Sequence, residues 1–258
     1  MSRRNPDHPA HALANPDAFY ERAFKNYPHP WLVKIVGNGA MRLAKPHFSY
    51  HGGVSAEDYF GSIPPGPLAL TFTHRGLEKL HDPIAAAAAV FGTPALIDRV
   101  EYTNVWAASP YMNHPVFGPI VTRLGGISVN RSGDYAKFGL SPTDEEKEAV
   151  TEALVSHSGE RLITSPLSVL GSFPAGTKGG TILREGIGMV MSLTEEVTAL
   201  PIALVSKTEK TSNIPKELEI AFGEPVPPRP GQPAGAYMEA IAASLGAAVA
   251  SVTERNAA

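Results

Sequence analysis

Residues Leu162–Val205 read LITSPLSVLGSFPAGTKGGTILREGIGMVMSLTEEVTALPIALV. A strand-like run leads into Phe173-Pro-Ala-Gly-Thr-Lys178, a helix-like run leads out, and a second apolar strand, Ala199–Val205, follows. The spacing predicts a tight Pro/Gly turn at Phe173–Lys178. Backbone N–H groups and the Lys178 ammonium can converge there on an anionic group.

The flanking chain repeats this alternation. Leu68-Ala-Leu-Thr-Phe-Thr73 reads as a strand that delivers His74 at its carboxyl end, the end at which ligands bind in α/β sheets. Asp82-Pro83 opens a helix, with Asp82 as N-cap. Gly126–Asn130 reads as a strand ending at Arg131, and Ser141-Pro-Thr-Asp144 as a capping box before a helix that stops at Gly159. Further strands are expected at Phe48–Gly52, Thr93–Asp98, Arg161–Thr164 and Leu218–Phe222, with helices over Leu183–Leu193 and Tyr237–Val252. Ser55–Phe60 and Glu101–Leu124 read as irregular. This order gives an α/β class: one domain with a mixed, largely parallel central sheet flanked by helices. That domain covers residues 46–258, behind an N-terminal tail and helical segment over residues 1–45. The first sixteen residues, rich in Pro, His and Asn, read as loose.

In that segment Phe19, Tyr20, Ala23 and Phe24 fall at helical spacing, and Trp31–Val36 follows Pro28 and Pro30. Lys25, Lys34, Arg42 and Lys45 accompany the aromatics. Two readings fit: a helix pair packed on the core, or an interfacial segment in which aromatics enter a headgroup layer and bases meet anionic lipid.

The totals narrow the function. A net charge of −3 over 258 residues offers no basic field for a nucleic-acid partner. With no cysteine, thiolate catalysis, cysteine-ligated zinc and disulfides are excluded. The nine histidines show no metal-ligand spacing, so no metal or cofactor is expected. Gly171-x4-Gly176 has the spacing of a phosphate loop, but Thr177 precedes Lys178 rather than following it. No Gly-x-Ser-x-Gly elbow exists for a hydrolase nucleophile. His74 is the candidate base, with Asp82 to orient it and Glu78 as a spare carboxylate. Arg131 and Lys178 are candidate phosphate ligands.

In series, these pieces resemble the glycerolipid acyltransferases, the lysophosphatidate and glycerol-phosphate acyltransferase superfamily. The carrying stretches are Thr73-His74…His81-Asp82-Pro83, Gly125-Gly-Ile-Ser-Val-Asn-Arg131, Phe173-Pro-Ala-Gly-Thr-Lys178 and Ala199-Leu-Pro-Ile-Ala-Leu-Val205, with Pro115-Val-Phe-Gly118 ahead of the second. The resemblance spans Phe48 to Pro225. It implies transfer of a fatty acyl group from a CoA or carrier-protein thioester, as co-substrate, to a lysolipid hydroxyl. His74 is then the general base, Asp82 or Glu78 its partner, and Arg131, Phe173, Pro174, Gly176, Thr177 and Lys178 the substrate-binding set. It also implies a cytoplasmic protein peripheral at the inner face of a membrane.

Three positions depart from the family pattern. Seven residues, not four, separate His74 from Asp82, Ala175 stands where the family has glutamate, and Lys178 where it has arginine. The alternative is therefore a non-catalytic lipid- or acyl-binding relative.

Overall fold

The computed structural model describes residues 5–26, 28–74, 81–176, 182–183, 185–206 and 217–257. Helices α1 (Pro9–Ala14), α2 (Pro16–Phe24) and α3 (Pro30–Ala44) precede β1 (His47–Tyr50) and α4 (Ala56–Gly61). There follow β2 (Leu68–His74), α5 (His81–Phe91), α6 (Pro94–Ile97), β3 (Thr103–Ala108), α7 (Ser109–Met112), α8 (Phe117–Arg123), β4 (Gly126–Val129) and α9 (Ser132–Tyr135). The chain continues through α10 (Asp144–Ile163), β5 (Val169–Gly176), β6 (Ile182–Leu183), α11 (Gly186–Thr194), β7 (Thr198–Ser206), β8 (Leu218–Phe222) and α12 (Ala234–Ala257).

The strands form one mixed sheet in the order β1-β8-β7-β2-β5-β3-β4, with β6 hairpinned antiparallel onto β5. Strands β7, β2, β5, β3 and β4 are parallel, while β8 runs against β7 and carries β1 with it. This is the α/β, largely parallel architecture the alternation predicts.

Both faces of the central strands are buried, which explains why β7 reads as a near-continuous apolar run. Leu68, Leu70, Phe72, Leu200 and Ile202 pack with Ala85, Ala88 and Ala89 of α5. Ala69, Leu170 and Ala199 point the other way, against Ile187, Val190 and Met191 of α11 and Tyr237, Ile241 and Leu245 of α12. Helix α12 is long and apolar enough to cross a membrane by length and composition, yet Tyr237, Ile241, Leu245 and Val252 are all buried. One face of it is thus part of the core.

Helices α1 and α2 belong to this core. Ala12, Phe19, Tyr20, Ala23 and Phe24 bury against Ile127 of β4 and Val150, Ala153 and Leu154 of α10. The loose tail expected before Asp17 is instead helical from Pro9, because His8 and Asn15 cap two short helices that each begin with proline.

Five local expectations are corrected. Thr93–Asp98 is helix α6, entered through Pro94, rather than a strand. Arg161–Thr164 belongs to the end of α10, which runs through Gly159. That glycine is an approach site, since a Cβ there would lie 3.0 Å from Thr194 Cγ2 and 3.3 Å from Leu193 Cδ2. Ser55–Phe60 holds α4, whose N-cap Ser55 accepts from the Asp58 N–H. Leu183, expected inside a helix, pairs in β6. Glu101–Leu124 contains β3, α7 and α8; Pro110 opens α7 and Pro119 sits in the first turn of α8, where proline is tolerated.

Candidate functional site

Five parallel strands place their carboxyl ends along one edge of the sheet, and the candidate residues gather on that edge. His74 is the last residue of β2, and its register partner on β5 is Gly176. The first and third sequence blocks are thereby brought to adjacent backbones, about 4.8 Å apart across the ladder. Arg131 follows β4, three strands from β2, about 14 Å away on the same spacing. Asp82 lies within the first turn of α5 rather than before it, and is buried. The backbones of His74, Pro174 and Gly176 are described; Glu78, Thr177 and Lys178 lie outside the described residues.

Phe173–Gly176 is not the turn its composition predicts. Strand β5 runs through it to Gly176. The irregularity caused by proline is a bulge: Thr71 pairs with Ser172 and Thr73 with Ala175, so β5 uses one residue more than β2. Pro174 has no N–H for the ladder, and a bulge accommodates it. Strand β6 pairs antiparallel with the end of β5, Ile182 opposite Gly176 and Leu183 opposite Ala175. Phe173 stays on the α5 face, its ring centroid 5.2 Å from that of Phe72.

On the other side of β2 the ladder opens. In chain order the register between β2 and β7 runs to Phe72 opposite Ile202. Beyond it, the Thr73 hydroxyl accepts from the Leu204 N–H at 2.7 Å. A side chain thus replaces a backbone acceptor just before His74, and the two strands part at the carboxyl edge.

Arg131 is held from within its own turn. Its Nε–H and Nη2–H donate to the two carboxylate oxygens of Asp134 at 2.6 and 2.9 Å, and Lys137 Nζ donates to the same carboxylate at 3.3 Å. The Asp134 side chain is 3% exposed and that of Arg131 18%. Two cations share one buried carboxylate, so the cluster carries a net positive charge at the sheet edge. The side-on grip leaves the Nη1 hydrogens without a protein acceptor among the described residues. Next to the pair, burial and the charge of Asp134 push the Tyr135 phenol up to about 12.

A polar layer fixes the strand ends beneath Arg131. The Ser109 hydroxyl lies 3.1 Å from Ser128 Oγ and 3.0 Å from the Val129 carbonyl, and also meets the Asn130 side-chain oxygen. Tyr20 donates to the Ser128 carbonyl at 3.2 Å, which ties α2 to β4. Sequence reading missed Asp134, Ser109 and Asn130. Asp134 had a usable signal, because an acid three residues after Arg131 at a helix start is placed to pair with it.

Two cavities lie away from this edge. One of about 430 Å³ is lined by Pro65, Gly66, Pro67, Ile163, Pro166 and Glu196, and one of about 240 Å³ by Phe60, Ile63, Leu68 and Arg99. Both open at the amino edge of the sheet, opposite His74. Among the described residues no group of three or more His, Asp or Glu side chains could hold a metal. Compared with protein-family models, curated proteins and solved structures, the chain matches none.

Proposed function

We propose that the chain is an O-acyltransferase, moving a fatty acyl group from a CoA or carrier-protein thioester to the hydroxyl of a glycerophospholipid-type acceptor such as lysophosphatidate. The observation that carries this reading is the register pairing of His74 with Gly176. Two sequence blocks a hundred residues apart meet at the carboxyl ends of adjacent parallel strands, where an α/β sheet binds ligands. In this reading His74 takes the proton of the acceptor hydroxyl as its oxygen attacks the thioester carbonyl. The carbon–sulfur bond then breaks, and the imidazolium returns the proton to the departing thiolate. The products are an ester and a free thiol. Asp82, buried at the start of α5, steadies the imidazole. Arg131 meets the acceptor phosphate through its outward Nη1 edge, and the acceptor lies along the sheet edge from β4 towards β2.

The test is incubation with acyl-CoA or acyl carrier thioester and a panel of lysolipids, following release of free thiol. Turnover is expected with a phosphate-bearing acceptor and lost in His74→Ala, with the circular dichroism unchanged. Full turnover in that variant would sink the reading. A second reading, a lipid- or acyl-binding protein without turnover, is favoured by Ala175, which stands in β5 where the resembling family carries glutamate. Tight binding of the thioester with no thiol release from the unaltered protein would select it.

A further inference from the structure

Charge is segregated along this chain. Residues 22–56 and 102–133 hold seven of the 22 cationic side chains and none of the 25 acidic ones. The fold brings the part of the first segment that forms α3 beside α8 of the second, while Arg22 and Lys25 lie on α2 and its C-cap against α10 and Arg131 is held by Asp134. His29, at the start of α3, donates its N–H to the Arg123 carbonyl at the end of α8 at 2.8 Å. Helix α3 packs on α5, and the right-handed crossover from β3 to β4 puts α8 on the same side of the sheet as α5.

The outer surface of these two helices is apolar where it should be wet. Trp31 is 61% exposed, Ile35 62% and Val116 62%, joined by the exposed rings and branches of Phe117, Ile120 and Leu43. Between them stand exposed Lys34, Arg42, Lys45 and Arg123. Buried Val33, Gly37, Ala40 and Ala44 mark the opposite, core-facing stripe of α3. On the other side of the sheet, α10 carries Asp144, Glu145, Glu146, Glu148, Glu152 and Glu160. The α3–α8 surface is therefore apolar and cationic, while α10 on the other face of the sheet carries the densest run of acids.

We infer that the α3–α8 surface docks on a lipid bilayer containing anionic phospholipid. Exposed aromatic and branched side chains enter the headgroup boundary while the bases pair with lipid phosphates. Charge complementarity selects this occupant: a soluble partner could cover the apolar side chains, but an anionic plane also meets Lys34, Arg42, Lys45 and Arg123, the four exposed bases that α3, its C-cap and α8 present together. The surface borders the carboxyl edge. His47, just after α3, sits level with Val205 at the end of β7, through their shared partner Glu219. Docking here holds that edge at the membrane.

The test uses the full chain with vesicles of phosphatidylcholine alone or mixed with phosphatidylglycerol. Co-sedimentation is expected only with the mixed vesicles, with a blue shift of Trp31 emission that Trp31→Phe removes; Trp106 is fixed inside by its bond to Ser158. Neutralising Lys34 and Arg123 to Gln lowers the partition coefficient on the order of twenty-fold, about five-fold for each cation. Ile35→Ser with Val116→Ser weakens it further, and all four positions are exposed enough to leave the melting temperature in place. The inference is overturned by no partitioning at low salt, by partitioning that ignores both pairs of changes, or by a dimer that Trp31→Ser dissolves. Partitioning is measured without turnover, so it stands or falls separately from acyl transfer.

Discussion

Arg131 grips Asp134 side-on, Nε and Nη2 each meeting one oxygen of a carboxylate that has almost no access to water. The geometry aims the guanidinium before any ligand arrives. Asp134→Asn leaves Arg131 charged and unanchored, and is expected to cost roughly 2–3 kcal/mol of stability, read by urea unfolding. If Arg131 also meets the acceptor phosphate, the same change raises the acceptor KM more than it lowers kcat. Arg131→Lys, which keeps charge but loses the fork, should behave alike. A variant with weakened folding and an unmoved KM would confine the pair to a structural role.

Asp82 offers a sharper division. As an acid in the first turn of α5 it complements the helix dipole, worth under about 1 kcal/mol. As the partner of His74 it matters far more for turnover than for folding. Asp82→Asn is expected to lower kcat by about 10²-fold or more and to shift the pH–rate profile, with a small change in melting temperature. An unaltered pH profile would leave it only the helix-start role.

Gly118 tests the packing of α8. A Cβ at this position runs into the Met112 carbonyl oxygen, a backbone atom that cannot step aside. Gly118→Ala should destabilise by about 1–3 kcal/mol, lowering Tm by roughly 2–4 °C for each kcal/mol. Because α8 carries Phe117 and Ile120 and begins just after Val116, the same variant should also weaken vesicle binding.

Alkaline unfolding reports the buried phenols. Burial raises Tyr20, Tyr59 and Tyr135 above the ordinary tyrosine range, Tyr135 to about 12. The folded state then keeps protons that the unfolded chain releases near pH 10. Their contribution to stability is complete below that pH and disappears as pH climbs towards 12. Phenolate absorbance should rise in two stages, the second coinciding with loss of the folded circular dichroism signal. A single early rise would show these rings to be open to solvent.

The parts of the fold legible in the sequence are those with strong local grammar. The capping box forms as written: Thr143 Oγ1 accepts from the Glu146 N–H, and Glu146 accepts from the Thr143 N–H. Strands β2 and β7 are plain as mainly apolar runs, and β8 as the alternation of Leu218, Ile220 and Phe222. Several of the misreadings share one cause, that proline and glycine read as breaks. Pro110 and Pro119 sit at helix starts, Gly159 inside a helix where another approaches, and Pro174 in a bulge of a central strand. What each does depends on a neighbour distant in sequence. The same limit hid Ser109 and Asn130, which become polar partners only when β3 and β4 lie side by side. The juxtaposition of His74 with Gly176 could be expected from the order of the blocks, but only the strand register fixes it.

The edge strand β1 also bears on how this protein is made. Its partner β8 lies about 170 residues further along the chain, with His47 opposite Glu219. At roughly 5–20 residues per second, a ribosome needs on the order of ten seconds or more to supply it. Throughout that interval Phe48 and Tyr50 have no sheet to join, and the apolar stripe of α3 just before them must wait beside an unfinished core. Nascent chains halted short of Leu218 are therefore the species most in need of a chaperone, and the last fifth of the sequence decides whether the first fifth is sheltered.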